Sequence, residues 1–302
     1  MNSDRISFGV DRSVGMEVKM TLEKKFCIIG TPVGHSKSPE LYRRIFDEHG
    51  YTNYEYTINE IDSEQALDLF FEDMRGGAWS GCNVTMPWKT KAAERMDVLL
   101  DNAALTESVN TVVRRCGVLY GDSTDGGGMC DAIISDTGIK LAGKKVIILG
   151  CGGAARSIIA ELALRMAGSI SIFSRPGKNR TLTEELIARI NEKTALKKEQ
   201  DPEFVPVIAE LFDYDDSASL LQAIGNADIL INCTPIGMIP HENELPVPEK
   251  ITFPEDLIVA DSIYNPDETL LIKKARADNC RTVKGIRMLE LQAQRAALLY
   301  LK

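Results

Sequence analysis

The sequence predicts an α/β protein of two domains with a cleft between them. Its 302 residues exceed the needs of one ordinary hydrophobic core and suit two compact domains. Apolar patterns of strands and helices alternate along the chain, which favours parallel βαβ units. The pattern changes near Asp125, where a glycine-rich helix start precedes a fully apolar strand. We therefore expect an N-terminal α/β domain with a mostly parallel sheet, followed by a second α/β domain.

The composition argues against several classes of protein. A net charge of −9 and a pI near 5.1 disfavour contact with phosphate backbones, so nucleic acid is not an expected partner. No apolar stretch approaches the roughly 18 residues of a membrane helix. Seven scattered cysteines without a CxxC pair, and only three histidines, predict neither a disulfide framework nor a metal site. We expect a cytoplasmic monomer or homodimer whose first 23 residues form a loose tail rather than a secretory signal.

The elements of the first half follow from local patterns. A short apolar strand over 25–29 ends at Gly30, and a helix over 38–50 begins with Ser38 and Pro39. Alternating apolar residues over 54–58 predict a half-buried strand. The remaining predictions are a helix capped by Ser63, a strand over 79–84, a helix over 89–96, and a hairpin of 111–114 with 118–121.

The second half continues the alternation. A helix over 125–136 precedes a buried strand over 146–149, and the last helix, 288–301, is expected to pack back on the first domain. The charged stretch 191–203 is interpreted as a surface excursion. Between these lie predicted strands over 169–174, 205–209, 228–233 and 257–262, and helices over 183–192 and 217–224. The predicted domains are 24–124 with 264–302, and 125–263.

Three glycines stand where the buried strand over 146–149 meets the next helix. Gly150, Gly152 and Gly153, followed by Ala154, form a GxGGxxR loop. Such a loop lets backbone N–H groups approach a pyrophosphate at the positive end of a helix. A tight structural turn alone also needs glycine, but the strand before it and the helix after it favour a Rossmann-type dinucleotide-binding domain.

The end of the strand over 169–174 indicates which dinucleotide binds. An NAD site commonly has an acidic residue there for the ribose hydroxyl, whereas this chain has Ser174 and Arg175. A guanidinium suits a 2′-phosphate, so NADP is favoured, with NAD as the alternative. A simple surface arginine remains a second explanation for Arg175.

Several segments of the first domain are rich in polar groups. Two hydroxyls, Ser36 and Ser38, precede a helix and suit a carboxylate. Lys89 and Asn110 follow predicted strand and helix ends, and Asp125 stands at the domain junction. Each has an ordinary alternative, because Ser38 and Asp125 also suit helix caps, Lys89 suits a solvated surface and Asn110 suits a turn.

Taken together, these segments resemble the shikimate dehydrogenase family over residues 25–300. The resemblance rests on ordered motifs, which are GTPVGHSKSP (30–39), NVTMPWK (83–89), SVNT (108–111), GDSTDG (121–126), the glycine loop, NCTPIGM (232–238), YNP (264–266), and Met288-Leu289 through Gln292. The family implies NADP-dependent, reversible reduction of 3-dehydroshikimate to shikimate in chorismate biosynthesis.

The resemblance also implies roles for individual residues. Lys89 and Asp125 would be the catalytic pair, and Ser36 and Ser38 would hold the substrate carboxylate. The remaining substrate contacts would be Thr85, Asn110, Tyr264 and Gln292. The cofactor contacts would be Gly150, Gly152, Gly153, Ala154, Ser174, Arg175, Thr234 and Met288. Because a neighbouring carboxylate favours a protonated amine, we expect alcohol oxidation to accelerate as pH rises.

Departures from the family pattern leave the substrate open. Tyr42-Arg43 replaces His-Asn, Ser123 replaces Asn, and Arg287 replaces a small residue, either as an extra carboxylate contact or as a surface residue. An NAD-dependent quinate/shikimate dehydrogenase is therefore an alternative. A non-catalytic relative that senses shikimate or quinate is an alternative of another class, although a sensor has no need of the catalytic pair.

Overall fold

A computed structural model describes residues 24–201 and 203–301, so the predicted tail over 1–23 lies outside the described residues. The first half contains β1 (Lys24–Gly30), α1 (Ser38–Glu48), β2 (Tyr54–Glu60), α2 (Glu64–Gly76), β3 (Gly81–Val84), α3 (Lys89–Ala93), β4 (Val98–Leu99), α4 (Asp101–Thr106), β5 (Thr111–Arg115) and β6 (Val118–Asp122). The second half contains α5 (Thr124–Thr137), β7 (Lys145–Leu149), α6 (Gly153–Leu164), β8 (Ser169–Ser174), α7 (Lys178–Gln200), β9 (Ile208–Asp213), α8 (Ser217–Ile224), β10 (Ile229–Asn232), β11 (Ile258–Asp261), α9 (Leu270–Ala277), β12 (Arg281–Val283) and α10 (Gly285–Leu301). None of these helices combines the length and apolar character that a membrane crossing requires.

The first sheet has the strand order β2-β1-β3-β5-β6-β4. β1 runs parallel to both β2 and β3, and β4 runs parallel to β6. β5 and β6 form the predicted hairpin and pair antiparallel, as do β3 and β5. The sheet is therefore mostly parallel, as predicted, and the carboxyl ends of β1 and β3 open at the same edge.

The second sheet has the order β12-β11-β10-β7-β8-β9, and every neighbouring pair in it is parallel. Apolar clusters cover both of its faces, which explains why β7, β10 and β11 are almost wholly apolar. This order is that of a doubly wound dinucleotide-binding fold. The topology reverses between β7 and β10, so a ligand is expected beyond the carboxyl ends of those two strands. The predicted two-domain α/β fold class is confirmed.

Strand β9 lies further along the chain than the predicted 205–209. It pairs with β8 from Ser169 opposite Ile208 onward, and this register stacks Phe212 on Phe173 with ring centroids 5.1 Å apart. Val205 is 73% exposed. Aromatic packing against the neighbouring strand thus decides the register, which local alternation of apolar residues does not reveal.

Helix α7 extends to Gln200 and so includes most of the stretch 191–203 that was interpreted as a surface excursion. Its first half buries Leu186 and Ile190 against the second sheet, whereas the later turns are mostly exposed. Lysine, glutamate, leucine and alanine are strong helix formers, so the helix continues beyond its buried part. The prediction was wrong about secondary structure but right about solvent exposure.

The strand pairings bear on where the chain returns to the first domain, which was predicted at Tyr264. β12 pairs in parallel with β11, so α9 and β12 still belong to the second domain. Of the elements after Tyr264, α10 packs on the first sheet, where Tyr300 joins the apolar cluster around Phe26. A strand as short as β12 leaves little pattern in the sequence. We therefore infer a return near Gly285.

Helix α5 packs closely between α6 and α10 because three consecutive glycines, 126–128, lie in its first two turns. A Cβ atom on Gly126 would lie 2.0 Å from the Ser157 carbonyl oxygen, and one on Gly128 would lie 2.6 Å from Gln292 Cβ. Only a residue without a side chain allows such approaches. The three helices therefore set the position of Asp125, which precedes this glycine run.

Candidate active site

A cleft of about 770 Å³ opens beyond β1 and β3 and is bordered by the loop after β11 and by α10. Its lining includes all eight residues that the sequence predicts for catalysis and substrate binding, namely Ser36, Ser38, Thr85, Lys89, Asn110, Asp125, Tyr264 and Gln292. Residues separated by more than 250 positions in the chain thus meet around one space. Their individual roles remain predictions.

Lys89 and Asp125 form an ion pair in this cleft. Lys89 is the first residue of α3, just beyond β3, and Asp125 lies in the first turn of α5. Lys89 Nζ donates to Asp125 Oδ2 at 2.7 Å, and the two side chains are 28% and 17% exposed. Asp125 does not cap α5, whose N-cap is Ser123. Because both side chains are mostly buried, dissolved salt screens their attraction only weakly. Because both are still partly exposed, a ligand in the cleft can contact them.

The Asn110 side chain binds the other oxygen of Asp125. Its Nδ2 donates to Asp125 Oδ1 at 2.7 Å. Its Oδ1 accepts from the Thr124 backbone N–H at 2.8 Å and from the Thr111 hydroxyl at 2.9 Å. Because both ends of the amide have partners, its orientation is fixed. The Asp125 carboxylate is thereby held between an amide and an ammonium.

Asn83 is a buried residue beneath the site whose role the sequence does not indicate. Its Oδ1 accepts from the Tyr56 hydroxyl at 2.7 Å and the Tyr300 hydroxyl at 3.0 Å. Its Nδ2 donates to the Asn110 carbonyl at 3.2 Å and the Thr111 hydroxyl at 3.1 Å. Asn83 therefore supports the residues that orient Asp125. The available signals were its place at the start of the NVTMPWK motif and an amide within an otherwise apolar strand.

The two serines form a hydroxyl pair at the start of α1. Ser36 Oγ donates to Ser38 Oγ at 3.0 Å and accepts from the Ser38 backbone N–H at 3.2 Å. Ser38 is the first helical residue rather than the cap, which is Lys37 and makes no side-chain capping bond. The predicted cap was therefore wrong by one residue. Two hydroxyls at the positive end of an eleven-residue helix suit a carboxylate.

The three other predicted substrate residues differ in how firmly they are held. The Thr85 backbone N–H donates to the Ile29 carbonyl at 2.9 Å, which ties the start of its loop to β1. Gln292 accepts from the Thr124 hydroxyl at 3.3 Å. Tyr264 is 54% exposed. Thr85 and Gln292 are therefore positioned by the fold, whereas Tyr264 presents a largely open ring to the cleft.

The glycine loop leaves room for a ligand at the N-terminus of α6. Gly150 has φ +96°, and a Cβ atom there would lie 3.0 Å from the Cys233 carbonyl oxygen. At Gly152, the N-cap, and at Gly153 a Cβ atom would have no neighbour within 4 Å. Open space before the first N–H groups of α6 fits a pyrophosphate. Thr234, in the loop after β10, the second strand of the switch point, lies beside Gly150.

The end of β8 presents cationic groups and no carboxylate. Ser174 is buried, and its carbonyl oxygen accepts from Arg180 Nη1 at 3.0 Å. The same guanidinium donates to the Phe212 carbonyl at 2.9 Å, so Arg180 joins β8 to β9. The Arg175 guanidinium lies 5.3 Å from the centre of the Tyr214 ring. Arg175 is exposed and therefore accessible to a ligand phosphate.

A buried carboxylate holds the loop after β10. Asp261 Oδ1 accepts from Asn232 Nδ2 at 3.1 Å and from the Ile263 backbone N–H at 3.0 Å, and its Oδ2 accepts from the Thr269 hydroxyl at 2.7 Å. Asn232 Oδ1 in turn accepts from the Thr234 hydroxyl at 2.7 Å. Asp261 therefore links the loop 232–238, which contains the predicted cofactor contact Thr234, to the loop after β11, which lines the cleft.

Replacing Asp261 by asparagine tests the cost of burying this charge. Burial raises the pKa of the Asp261 carboxyl to about 6, so the folded protein keeps a proton that the unfolded chain releases near pH 4. The stability that this group contributes is full below about pH 4 and is lost as pH rises through 6. We expect the unfolding free energy of wild type relative to Asp261→Asn to fall by up to about 3 kcal/mol between pH 4 and 7.5.

Urea denaturation at several pH values measures that difference. The exposed Asp256 lies before the same strand, and Asp256→Asn serves as the control because its charge is not buried. A wild-type advantage over Asp261→Asn that grows with pH would contradict the prediction.

Two predicted residues lie in unexpected surroundings. Met288 is 8% exposed and packs in the core of the second domain, which leaves little of its side chain for the predicted cofactor contact. Arg287 Nε lies 3.3 Å from Asp136 Oδ1, and its Nη1 donates to Glu290 Oε2 at 2.7 Å. Arg287 does not line the cleft. The geometry therefore favours the surface interpretation of Arg287 over an extra substrate contact.

Comparison with known proteins gives consistent likenesses. A family model described as the shikimate dehydrogenase substrate binding domain matches residues 28–112. Shikimate dehydrogenase (NADP(+)) of Listeria monocytogenes serotype 4b (strain F2365) is 35% identical over 269 residues, which cover 89% of this chain and 88% of that protein. The likeness thus extends well beyond the first domain.

Solved structures agree over almost the whole length. Shikimate 5-dehydrogenase from Listeria monocytogenes, in complex with shikimate and NAD, superposes with a TM-score of 0.84 at 32% identity, covering 97% of this chain and 94% of that chain. The ligand-free 5-ketofructose reductase of Gluconobacter sp. strain CHM43 gives a TM-score of 0.78 at 28% identity, with coverages of 92% and 93%.

Proposed function

The chain belongs to the shikimate dehydrogenase family, and on that premise we propose that it reversibly reduces 3-dehydroshikimate to shikimate with NADP, as a step of chorismate biosynthesis. The observation that carries the proposal is the ion pair of Lys89 and Asp125 at 2.7 Å, in a cleft that also contains the serine pair. A carboxylate site and a proton donor in one cleft suit a small ring acid with a ketone.

The chemistry needs a proton donor beside the reacting oxygen. Hydride addition to the ring ketone places negative charge on its oxygen, and the Lys89 ammonium stabilises that charge and gives the oxygen a proton. In the reverse direction the neutral amine accepts the proton. Asp125 keeps the ammonium in place and accepts a hydrogen bond from the neighbouring ring hydroxyl. The bound nicotinamide supplies or accepts the hydride.

The cofactor assignment rests on the second domain. The space before α6 suits a pyrophosphate, and Arg175 stands at the end of β8 where NAD sites commonly have a carboxylate. The Listeria relative bears NADP(+) in its name, whereas the solved Listeria enzyme is in complex with NAD. NADP is therefore the main proposal and NAD the alternative.

Arg175→Ala tests the choice of cofactor. If the Arg175 guanidinium pairs with the 2′-phosphate, the variant raises KM for NADP by at least about tenfold and changes KM for NAD by less than about twofold. Initial rates with both cofactors measure this. Lys140→Ala removes an equal charge from an exposed position after α5 and serves as the control. Equal effects on both cofactors would contradict a 2′-phosphate contact.

Initial rates with several substrates decide among the alternatives. The panel contains shikimate and quinate with either cofactor, and 5-ketofructose because of the likeness to its reductase. We expect the highest kcat/KM for shikimate with NADP. Preference for quinate with NAD would support the quinate/shikimate alternative, and binding without turnover would support the sensing alternative.

The proposal also covers the cellular compartment, the partner and the oligomeric state. The seven cysteines are free thiols, which suits a reducing compartment such as the cytoplasm. The proposed partner is a small ring hydroxy acid. The expectation of a monomer or homodimer is decided by light scattering of the purified protein.

A further inference from the structure

Tyr42 lines the same cleft, yet its hydroxyl has no hydrogen-bond partner among the residues that the structure describes. The residue is 1% exposed, and its ring stacks on Tyr56 with centroids 4.3 Å apart and planes 1° apart. The ring is therefore fixed by packing. A buried hydroxyl without a partner is unusual, because buried polar groups are nearly always hydrogen-bonded.

The neighbouring amide has no capacity left for the Tyr42 hydroxyl. Asn83 lies close to it, but the Asn83 oxygen already accepts from Tyr56 and Tyr300. The Asn83 nitrogen donates both of its hydrogens, to the Asn110 carbonyl and the Thr111 hydroxyl. An asparagine side chain makes at most four such bonds. The Tyr42 proton is consequently available to another acceptor.

The Tyr42 phenol is a neutral donor rather than a phenolate. Burial raises the pKa of the Tyr42 phenol far above its ordinary value, and the nearby charge of Asp125 acts in the same direction. Across the working pH range of an enzyme the group therefore offers a hydrogen and seeks an acceptor, for which an anionic oxygen is the strongest choice.

The position of Tyr42 on α1 indicates which acceptor it meets. Tyr42 lies four residues after Ser38, so the two side chains share one face of the helix. Among the described residues, the cleft lining contains no arginine, and its lysines are Lys89, which pairs with Asp125, and the exposed Lys37 beside the serine pair. A carboxylate at the serine pair therefore depends on hydroxyl and backbone donors together with Lys37. The serine pair is the predicted carboxylate site.

We propose that Tyr42 determines specificity for the substrate, with its phenol O–H donating to the carboxylate beside the serine pair. This inference rests on the proposed function, because it takes the ring acid as the ligand. It adds a third hydroxyl donor, from the second turn of α1, to the two serines. A ligand that lacks a carboxylate leaves the Tyr42 hydroxyl unsatisfied and therefore binds less well.

Tyr42→Phe tests the inference because it removes the hydroxyl and keeps the stacked ring. We expect KM for shikimate, and its Kd by titration calorimetry, to rise by about tenfold or more, with kcat within about twofold, because the bond is made equally in ground and transition states. With methyl shikimate, whose carboxylate is esterified, the difference between wild type and variant should shrink to less than about threefold.

Two control variants separate this role from a structural one. Tyr51→Phe removes a phenol that does not line the cleft and should leave both KM and stability unchanged. Tyr300→Phe removes a phenol whose hydrogen bond stays within the protein and should lower the melting temperature. Tyr42→Phe should not lower it, because it deletes an unsatisfied group.

The outcomes distinguish this inference from the proposed function. If wild type does not turn over shikimate, the proposed function fails. If wild type turns over shikimate and Tyr42→Phe has the same KM and Kd, the role of Tyr42 is overturned. An equal loss with methyl shikimate, or a loss confined to quinate, would also overturn the carboxylate contact.

Discussion

Lys89→Ala is expected to lower kcat at least about 10²-fold while the ring acid still binds. The variant removes the ammonium that lies 2.7 Å from Asp125, so the developing oxyanion loses both a positive charge and its proton donor. The serine pair and Gln292 are untouched by the change. Kd for shikimate should therefore remain within about threefold of wild type, as measured by calorimetry beside steady-state rates.

The same short helix supplies a control for Lys89. Lys91 lies two residues further along α3, and its Nζ pairs with Glu94 at 3.1 Å and Glu64 at 3.4 Å on the exposed side. Lys91→Ala should leave kcat unchanged, because exposed pairs of this kind contribute little even to stability. An unchanged kcat in Lys89→Ala would remove Lys89 from the chemistry and with it the proposed mechanism.

The meeting of Lys89 with Asp125 was implied by the resemblance to the family, because taken singly each residue had an ordinary alternative. The fold supplies the physical reason, since both residues lie beyond strand ends at one edge of the first sheet. The glycine loop was predictable from the local pattern, because Gly150 to Gly153 connect an apolar strand directly to a helix. Signals of this kind are local, and the topology of the fold brings them together.

The residues beneath the site were not predictable in this way. Asn83 is the amide of the otherwise apolar strand β3, and Tyr42 lies on the buried face of the largely polar helix α1; each position has many ordinary explanations. The role of Asn83 depends on hydrogen bonds to residues distant in sequence, such as Tyr300. The role proposed for Tyr42 depends on a hydroxyl that has no partner among the described residues. The inferred return near Gly285, rather than at Tyr264, has no signal in the sequence, because β12 has only three residues, too few for a periodic pattern.

Gly126→Ala is expected to destabilise the protein by about 3 kcal/mol or more, the upper range for overpacking. The new methyl group would lie 2.0 Å from the Ser157 carbonyl oxygen and 2.5 Å from its carbon, and these are backbone atoms that cannot rotate away. The Gly126 backbone N–H also donates to Ser157 Oγ at 2.8 Å, so separating the helices breaks that bond. Because Asp125 directly precedes Gly126, the displacement should lower kcat as well.

Gly76→Ala is the matched control, since Gly76 is also a helical glycine but a Cβ atom there has no neighbour within 4 Å. That variant should be neutral or gain about 0.5–1 kcal/mol from helix propensity. Urea denaturation of both variants gives the comparison. If Gly126→Ala were as stable as wild type, α5 and α6 would not approach as closely as described. The position of the Asp125 carboxylate against Lys89 would then need a different structural cause.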